Sequence, residues 1–228
     1  MAQSTNQVFD AINNIGSASG QVVDHRTVKK ALSSLHFGTI RYRQNHVIAC
    51  EGEAADYIFV VARGVVRTCK NFERGGRSVV AFYLPGDIVG WSEQNYSLSV
   101  EAASDAVVRF VKRSALTSLA VRDSGVSGLL LGIATSQLRR AQEHAVRMSM
   151  RTKPRVASFL IDLGRRSGTA NSVKLLMSHQ DIADHLGLRR ETLSRRITQL
   201  QRVGIVSRSG TRTLIVDYER LLRQVKRT

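Results

Sequence analysis

Near Ser114 the hydrophobic period of this chain changes, and that change limits what it can fold into. From His36 to about Arg113, short runs rich in Val, Ile, Phe and Tyr are broken by glycines. Examples are Tyr57-Ile58-Phe59-Val60-Val61 before Gly64, Val65-Val66-Arg67 after it, and Ser78-Val79-Val80-Ala81-Phe82-Tyr83 before Pro85-Gly86. Runs of this length and composition, closed by turn residues, are strands. Gly52, Gly64, Gly76, Gly86 and Gly90 recur about every ten residues, and Arg74-Gly75-Gly76 signals a hairpin, so a small barrel or roll is expected. Beyond Ser114 the spacing is helical. Leu131, Ala134, Leu138, Ala141, Ala145 and Met148 alternate steps of three and four, the apolar seam of a coiled coil.

That seam predicts one long helix, with irregular first turns because Gly125, Gly128 and Gly132 each cost up to about 1 kcal/mol relative to alanine. Two arrangements satisfy it: packing on the chain's own β domain, or on a partner helix. Its narrowness and its small alanines favour the partner. Four segments follow: a flexible, Ser/Asn/Gln/Gly-rich tail over 1–25, a β-roll domain over 26–114, a dimerisation helix over 115–150, and a C-terminal domain over 151–228. A short helix is expected at Val28–Leu35. In the last segment Thr152 is the expected cap of a helix with Pro154 in its first turn and Val156, Phe159, Leu160 and Leu163 on its apolar face. Gly164–Asn171 reads as a loop.

The most informative stretch runs from Ser178 to Leu200. Ser178 followed by Asp181 has the form of a capping box. Ile182, Ala183 and Leu186 give a short helix one apolar face, and Gly187 can adopt positive φ and turn the chain. A second helix beginning after Leu188 buries Leu193, Ile197 and Leu200 and ends near Gly204. Short helix, glycine turn and second helix form a helix-turn-helix. Opposite Leu193 and Ile197 lie Arg190, Glu191, Ser194, Arg195 and Thr198, at the end that enters the major groove in this motif. Arginine can donate twice to guanine, and glutamate can accept from cytosine. Arg190, Glu191, Ser194 and Arg195 are therefore the expected base-reading residues. A hairpin over Ile205–Val216 forms a wing with Arg208 and Arg212 near its tip. These two, with Ser178, His179, Thr192 and Thr198, are the expected phosphate contacts, which hold register without choosing sequence.

Charge agrees with a nucleic-acid partner. The chain carries 34 Lys and Arg against 18 Asp and Glu, a net +16. From Arg151 onward there are 17 basic and 6 acidic residues, a surplus of +11, against +5 for the rest. Such an excess concentrates polyanions. Apolar runs fall short of the roughly 18–20 residues that span a bilayer, so a cytoplasmic location without membrane contact is expected. Two cysteines, Cys50 and Cys69, exclude a disulfide framework and a four-cysteine metal site. The histidines at 25, 36, 46, 144, 179 and 185 show no ligand spacing with carboxylates, and no catalytic constellation is visible. His144 lies near the seam, and His179 and His185 face the turn of the motif.

From about residue 28 onward the sequence resembles the CRP/FNR family. The resemblance rests on Tyr57-Ile-Phe-Val-Val-Ala-Arg-Gly-Val-Val, Tyr83-Leu-Pro-Gly-Asp-Ile-Val-Gly, the long helix, Gln180-Asp-Ile-Ala-Asp-His-Leu-Gly-Leu, Arg190-Glu-Thr-Leu-Ser-Arg195, and Gly204-Ile-Val-Ser. It implies an α+β architecture: an N-terminal double-stranded β-roll of the jelly-roll kind, a dimerisation helix and a C-terminal winged helix-turn-helix. It further implies a transcription regulator, expected to activate, which binds a palindromic promoter site as a homodimer and contacts RNA polymerase. Glu191, Ser194 and Arg195 match the FNR branch, with half-sites like TTGAT. Arg190, Glu191 and Arg195 also match the CRP branch, with half-sites like TGTGA. The shared GA step is assigned to Glu191 and Arg195.

The sensor departs from the family pattern. Where cyclic-nucleotide-binding members carry Gly-Glu and then Arg-Ser, this chain has Gly90-Trp91-Ser92-Glu93 and then Tyr96-Ser97-Leu98. Trp91 stands in place of the Glu and Tyr96 in place of the Arg, so a buried cyclic phosphate would lack its counter-charge. No cAMP response is expected, nor an iron–sulfur cluster, since the N-terminal cysteines of FNR proteins are missing. No cofactor is assigned, and Cys50 and Cys69 read as structural thiols. What remains resembles the FixK-like members. The alternative is a regulator of the same fold gated by a small molecule or haem in the β-roll, with His36 or His46 as the haem ligand.

Overall fold

The computed structural model describes residues 30–73, 75–169, 171–210 and 212–226. The expected tail over 1–25 lies outside them, as do Arg74 of the first hairpin and Thr211 of the wing. Of the expected helix at Val28–Leu35, the described part is helical over Lys30–Ser33. The chain divides into two units: residues up to Lys70 with Ala81–Ala141, and Asn71–Val80 with Gln142–Thr228.

Two four-stranded antiparallel sheets, the two walls of a roll, account for the strands up to Lys112, all within the first unit save Asn71 and Arg77–Val80. One is ordered β1-β8-β3-β6, from Gly38–Tyr42 (β1), Ala106–Lys112 (β8), Tyr57–Arg63 (β3) and Ile88–Val89 (β6). The other is ordered β2-β7-β4-β5, from Val47–Ala49 (β2), Ser99–Ala102 (β7), Val66–Asn71 (β4) and Arg77–Tyr83 (β5). Strand β3 explains its own unbroken apolar run. Phe59 and Val61 enter a core with Ala49, Val66, Val100 and Val108, while Ile58 and Val60 pack with Ile88, Val111, Leu116, Val126, Leu129 and Ile133. A strand buried on both faces needs no polar alternation. The turn after it needs glycine. Gly64 has φ +82°, and a Cβ there would lie 2.2 Å from the Asp105 carbonyl oxygen.

The helical region after Arg113 is two helices where one was expected: α1 over Arg113–Arg122 and α2 over Ser124–Ser149. Asp123 between them is extended (φ −132°, ψ 108°), and its carboxylate accepts the Val126 amide at 3.0 Å. Helix α2 is then regular through Gly125, Gly128 and Gly132, against the expectation of irregular first turns. Val126, Leu129 and Ile133 explain this, since their burial holds the glycine-containing turns in place. That inward stripe continues with Gln137, which donates to the Ile88 carbonyl at 2.8 Å, and Arg140, which donates to Asp87 at 2.8 Å. Of the seam residues, Leu131, Ala134, Leu138, Ala141 and Ala145 are exposed, Leu131 and Leu138 by 62% and 60%, and Met148 is half-buried. A different stripe of α2 therefore packs on the β domain, and the seam is left outside.

The second unit contains α3 (Thr152–Arg166), β9 (Ser172–Lys174), α4 (His179–His185), α5 (Arg190–Arg202), β10 (Val206–Arg208), β11 (Thr213–Val216) and α6 (Tyr218–Lys226). The strands form one antiparallel sheet ordered β10-β11-β9, with Val206 opposite Val216 and Leu214 opposite Val173. Val156, Phe159, Leu160 and Leu163 of α3 are buried as expected. Thr152 is not the cap: Arg151 occupies that position without a side-chain hydrogen bond, and Thr152 is the first helical residue.

Nor does the loop begin at Gly164. The helix runs on to Arg166, because Gly164 serves a contact and not a turn. A Cβ on Gly164 would meet the Tyr218 hydroxyl oxygen at 1.6 Å, and that hydroxyl is buried without a hydrogen-bond partner among the described residues. Gly164→Ala is therefore expected to destabilise the fold by about 1–3 kcal/mol through overpacking, despite alanine's better helix propensity. Adding Tyr218→Phe, which removes the crowded oxygen, should recover part of the loss in urea unfolding. Full stability in the single variant would contradict this packing.

Candidate nucleic-acid interface

Helix α4 starts where the chain can satisfy its first amides. The Ser178 hydroxyl accepts the Asp181 amide at 3.0 Å, and the Asp181 carboxylate accepts the Ser178 amide at 3.3 Å, a closed capping box. Asp181 is almost fully buried, and its second oxygen takes the Arg77 guanidinium at 3.3 Å. The Ser178 hydroxyl also donates to Asp181 at 2.7 Å, so it is engaged inside the box. The helix ends at Leu186, and Gly187 turns the chain with φ +60°. That left-handed φ is what favours glycine here, and its bare Cα lets the Met148 Cε atom pack against the turn, 2.8 Å from where a Cβ would lie.

Helix α5 is strongly two-faced. Leu193, Ile197 and Leu200 are buried under it, as Ile182, Ala183 and Leu186 are under α4. The opposite side carries Arg190, Glu191, Ser194, Arg195 and Thr198, all exposed, with Thr192 half-buried at the edge. The four expected base-reading residues thus share one surface. Arg196, Gln199 and Arg202 line the same groove. Sequence reasoning missed these three by concentrating on the first turns of the helix. Arg202 follows Arg195 by seven residues and Thr198 by four, spacings that bring it to the same face.

The flanks of this face are basic. Arg208 and Arg212 are exposed on the wing. His179, half-buried in the first turn of α4, has its pKa lowered first by burial and then by the charges of Arg208 and Arg190. Those couplings bring the wing and the start of α5 close to the start of α4. An anion held there would meet the guanidinium groups of Arg190 on α5 and Arg208 on the wing, with the neutral imidazole of His179 between them.

Behind the face lies a buried pair that sequence reasoning did not find. His185 is not at the turn surface: its ring is buried and stacks on His144 at 4.3 Å with 21° between planes, and Phe159 closes in at 5.7 Å. Its Nδ1 lies 3.0 Å from the Val79 carbonyl oxygen, which fixes the neutral tautomer with the proton on Nδ1. Burial first, then the charges of His144, Arg147 and Arg166, push its pKa down to about 3, against the pull of the Val79 carbonyl. His144 is lowered as well, by burial and by Arg147, with Asp162 opposing. The contact joins separate helices and leaves no periodic trace in the sequence.

In the β-roll, Tyr96 fills interior space. Its hydroxyl donates to the Tyr57 carbonyl at 2.7 Å, and its ring lies 6.1 Å from Phe59. Trp91 is substantially exposed. Arg67, nearly fully buried, donates twice to Glu101, at 3.0 and 2.7 Å, and once to Asn45 at 3.1 Å. Cys69 is buried beside them and donates to Glu101 at 3.8 Å, while Cys50 is exposed. His36 and His46 are both exposed. Among the described residues no helix is long and apolar enough to cross a membrane, and no three His, Cys, Asp or Glu are placed to hold a metal ion.

Comparison with known proteins adds the following. The family model of the Crp-like helix-turn-helix domain matches residues 154–224, and that of the cyclic nucleotide-binding domain matches residues 39–123. The chain is 40% identical over 191 residues to the nitrogen fixation regulation protein FixK of Azorhizobium caulinodans, covering 81% of this chain and 77% of that one. It is 32% identical over 186 residues to FixK of Rhizobium meliloti, covering 81% and 85%. The solved structure of FixK2 from Bradyrhizobium japonicum superposes with a TM-score of 0.79 at 38% identity, covering 83% of this chain and 98% of that one.

The buried His185 sets a pH dependence. Its ordinary unfolded pKa is about 6.5, and in the folded state it takes a proton only near 3. Its contribution to stability is therefore present above about pH 6.5 and is lost progressively as pH falls toward 3, by up to about 1.4 kcal/mol per pH unit. Urea unfolding between pH 7 and 5 should show falling stability in the wild type and a shallower slope in His185→Gln. Equal slopes would contradict the assignment.

Proposed function

Because the chain belongs to the CRP/FNR family of transcription regulators, on its FixK-like side, we propose that it binds palindromic promoter DNA as a homodimer and activates transcription. Family membership makes it a regulator with a helix-turn-helix DNA-binding domain, and not an enzyme. The finer reading is that α5 enters the major groove and reads half-sites of the TTGAT or TGTGA kind. The single observation that carries it is the sidedness of α5. Its apolar residues are consumed by the core, and Arg190, Glu191, Ser194 and Arg195 share the opposite, solvent-facing side. Four base-edge hydrogen-bonding residues on the outer face of the second helix are what direct readout requires.

Within that face we assign the GA step to Glu191 and Arg195. Phosphate contacts fall to His179, Thr192, Thr198, Arg208 and Arg212, and Arg202 extends the row; Ser178 drops out of the set, because its hydroxyl and its amide both serve the capping box. The exposed seam of Leu131, Ala134, Leu138, Ala141 and Ala145 supports a second copy as partner, with Met148 at its inner end. In the division of labour we propose, residues 26–114 form the effector domain, 115–150 the dimerisation region and 151–228 the DNA-binding domain. RNA polymerase is the second protein partner, and the cytoplasm is the site of action. The FixK relatives are named for regulation of nitrogen fixation, and such promoters are the first set to probe. Tyr96, packed in the roll where cyclic-nucleotide binders carry their phosphate-binding arginine, supports regulation without cAMP.

The test is competitive binding to inverted repeats of the two half-site types against scrambled DNA at fixed salt. A preference of roughly a thousandfold or more for repeats containing the GA step is expected, and equal binding to scrambled DNA would overturn the reading. Arg195→Ala should cost about 1–3 kcal/mol on the preferred site and relax choice at one guanine. Arg212→Ala should weaken all sequences alike and lower the salt slope by about one. Identical behaviour of the two variants would defeat the division into base and phosphate contacts.

A further inference from the structure

Two recognition helices in a dimer must present their bases-reading faces at one fixed separation, so something has to hold α5 rigidly to the end of α2. Helix ends leave backbone carbonyls without intrahelical partners, and those carbonyls carry the negative end of the helix dipole. One side chain takes such carbonyls from the end of α2 and from the end of α4, the helix that leads into α5, at once. Arg155, half-buried in the first turn of α3, donates from Nη2 to the Met148 carbonyl at 2.8 Å and the Met150 carbonyl at 2.8 Å. Its Nε donates to the Met150 carbonyl at 3.1 Å, and its Nη1 to the Leu186 carbonyl at 2.9 Å. Met148 and Met150 belong to the end of α2 and the residue just beyond it, and Leu186 caps α4. Packing closes the same joint, with the Met148 Cε atom against Gly187, the turn residue three before α5 begins.

We propose that Arg155 is the positioning residue that locks the helix-turn-helix to the end of the seam helix and so sets the half-site spacing the dimer accepts. This rests on the reading above, of α5 as base reader in a homodimer. A guanidinium suits the task because its planar fork reaches acceptors in several directions at once, whereas an ammonium is a point charge on a flexible stem. Arg155 has no place on the DNA-facing side of α5 and chooses no base. It restricts the angle between the last turn of α2 and the turn at Gly187, and two-fold symmetry applies that angle to both half-sites. Half-sites one helical turn apart, about 34 Å, tolerate little change in it.

Full-length wild type, Arg155→Gln and Arg155→Lys are each titrated against the preferred palindrome, against versions with the spacer lengthened or shortened by one base pair, and against a version with the GA step replaced. Wild type should favour one spacer by about tenfold or more. Arg155→Gln should reduce that spacer preference to about threefold or less while keeping the penalty for a replaced GA step. Arg155→Lys, which keeps the charge but not the fork, should fall between them, and it serves as the test variant if the glutamine variant does not melt cooperatively. Unchanged spacer preference in the variants would overturn the proposal. So would a parallel loss of spacer and base preference, which marks a merely structural residue. Absence of base preference in the wild type would instead refute DNA reading itself.

Discussion

The architecture depends on one helix that buries one stripe and exposes another. Val126, Leu129 and Ile133 of α2 are consumed by the core of the first unit, and Gln137 and Arg140 continue the same stripe as hydrogen bonds to the turn around Asp87 and Ile88. Farther along, His144 and Arg147 lie at the same helical spacing and pack on His185 and pair with Asp162. Because that stripe is fully used, Leu131, Ala134, Leu138, Ala141 and Ala145 are left facing outward. An alternative in which the seam covered the β domain would require α2 to rotate and strand its buried residues in water, at about 1.5–3 kcal/mol for each large aliphatic side chain.

The same economy of faces operates on α5. Burial of Leu193, Ile197 and Leu200 determines the rotation of the helix, and rotation determines which polar residues meet solvent. The polar outer face is thus a consequence of core packing: each side chain on it is aimed by its apolar neighbour beneath. The capping box at Ser178 and the turn at Gly187 fix where α4 begins and ends, and Arg155 ties that end to α2. Rigid elements, and not loops, carry this face, which keeps its geometry sharp.

How much of this was legible depended on whether a feature was local. The doubly buried run of β3, the box Ser178–Asp181 and the turn at Gly187 are written in adjacent residues, and each was readable. The alternating steps of three and four in α2 were equally plain. What escaped were features that depend on a partner elsewhere in the chain. Gly164 looked like a helix end, but it makes room for Tyr218, more than fifty residues on. Asp123 split a helix whose apolar pattern ran straight through it, because a carboxylate there can cap the Val126 amide. The stack of His144 on His185 joins two helices with no periodicity in common. On the outer face of α5, Arg190 through Arg195 follow from motif and helical phase, while Arg196, Gln199 and Arg202 share the same groove from later turns, beyond the part of the helix the motif singles out.

The central claim is that the outward stripe of α2 receives a second copy of the chain and that DNA reading depends on it. Sedimentation equilibrium of the wild type and of Leu138→Glu, with each preparation then titrated on a palindrome, tests both halves together. The expected result is a dimer for the wild type and a monomer for the variant, folded but much weaker on the palindrome. A wild-type monomer that still binds the palindrome tightly, or a variant that remains dimeric, would contradict it.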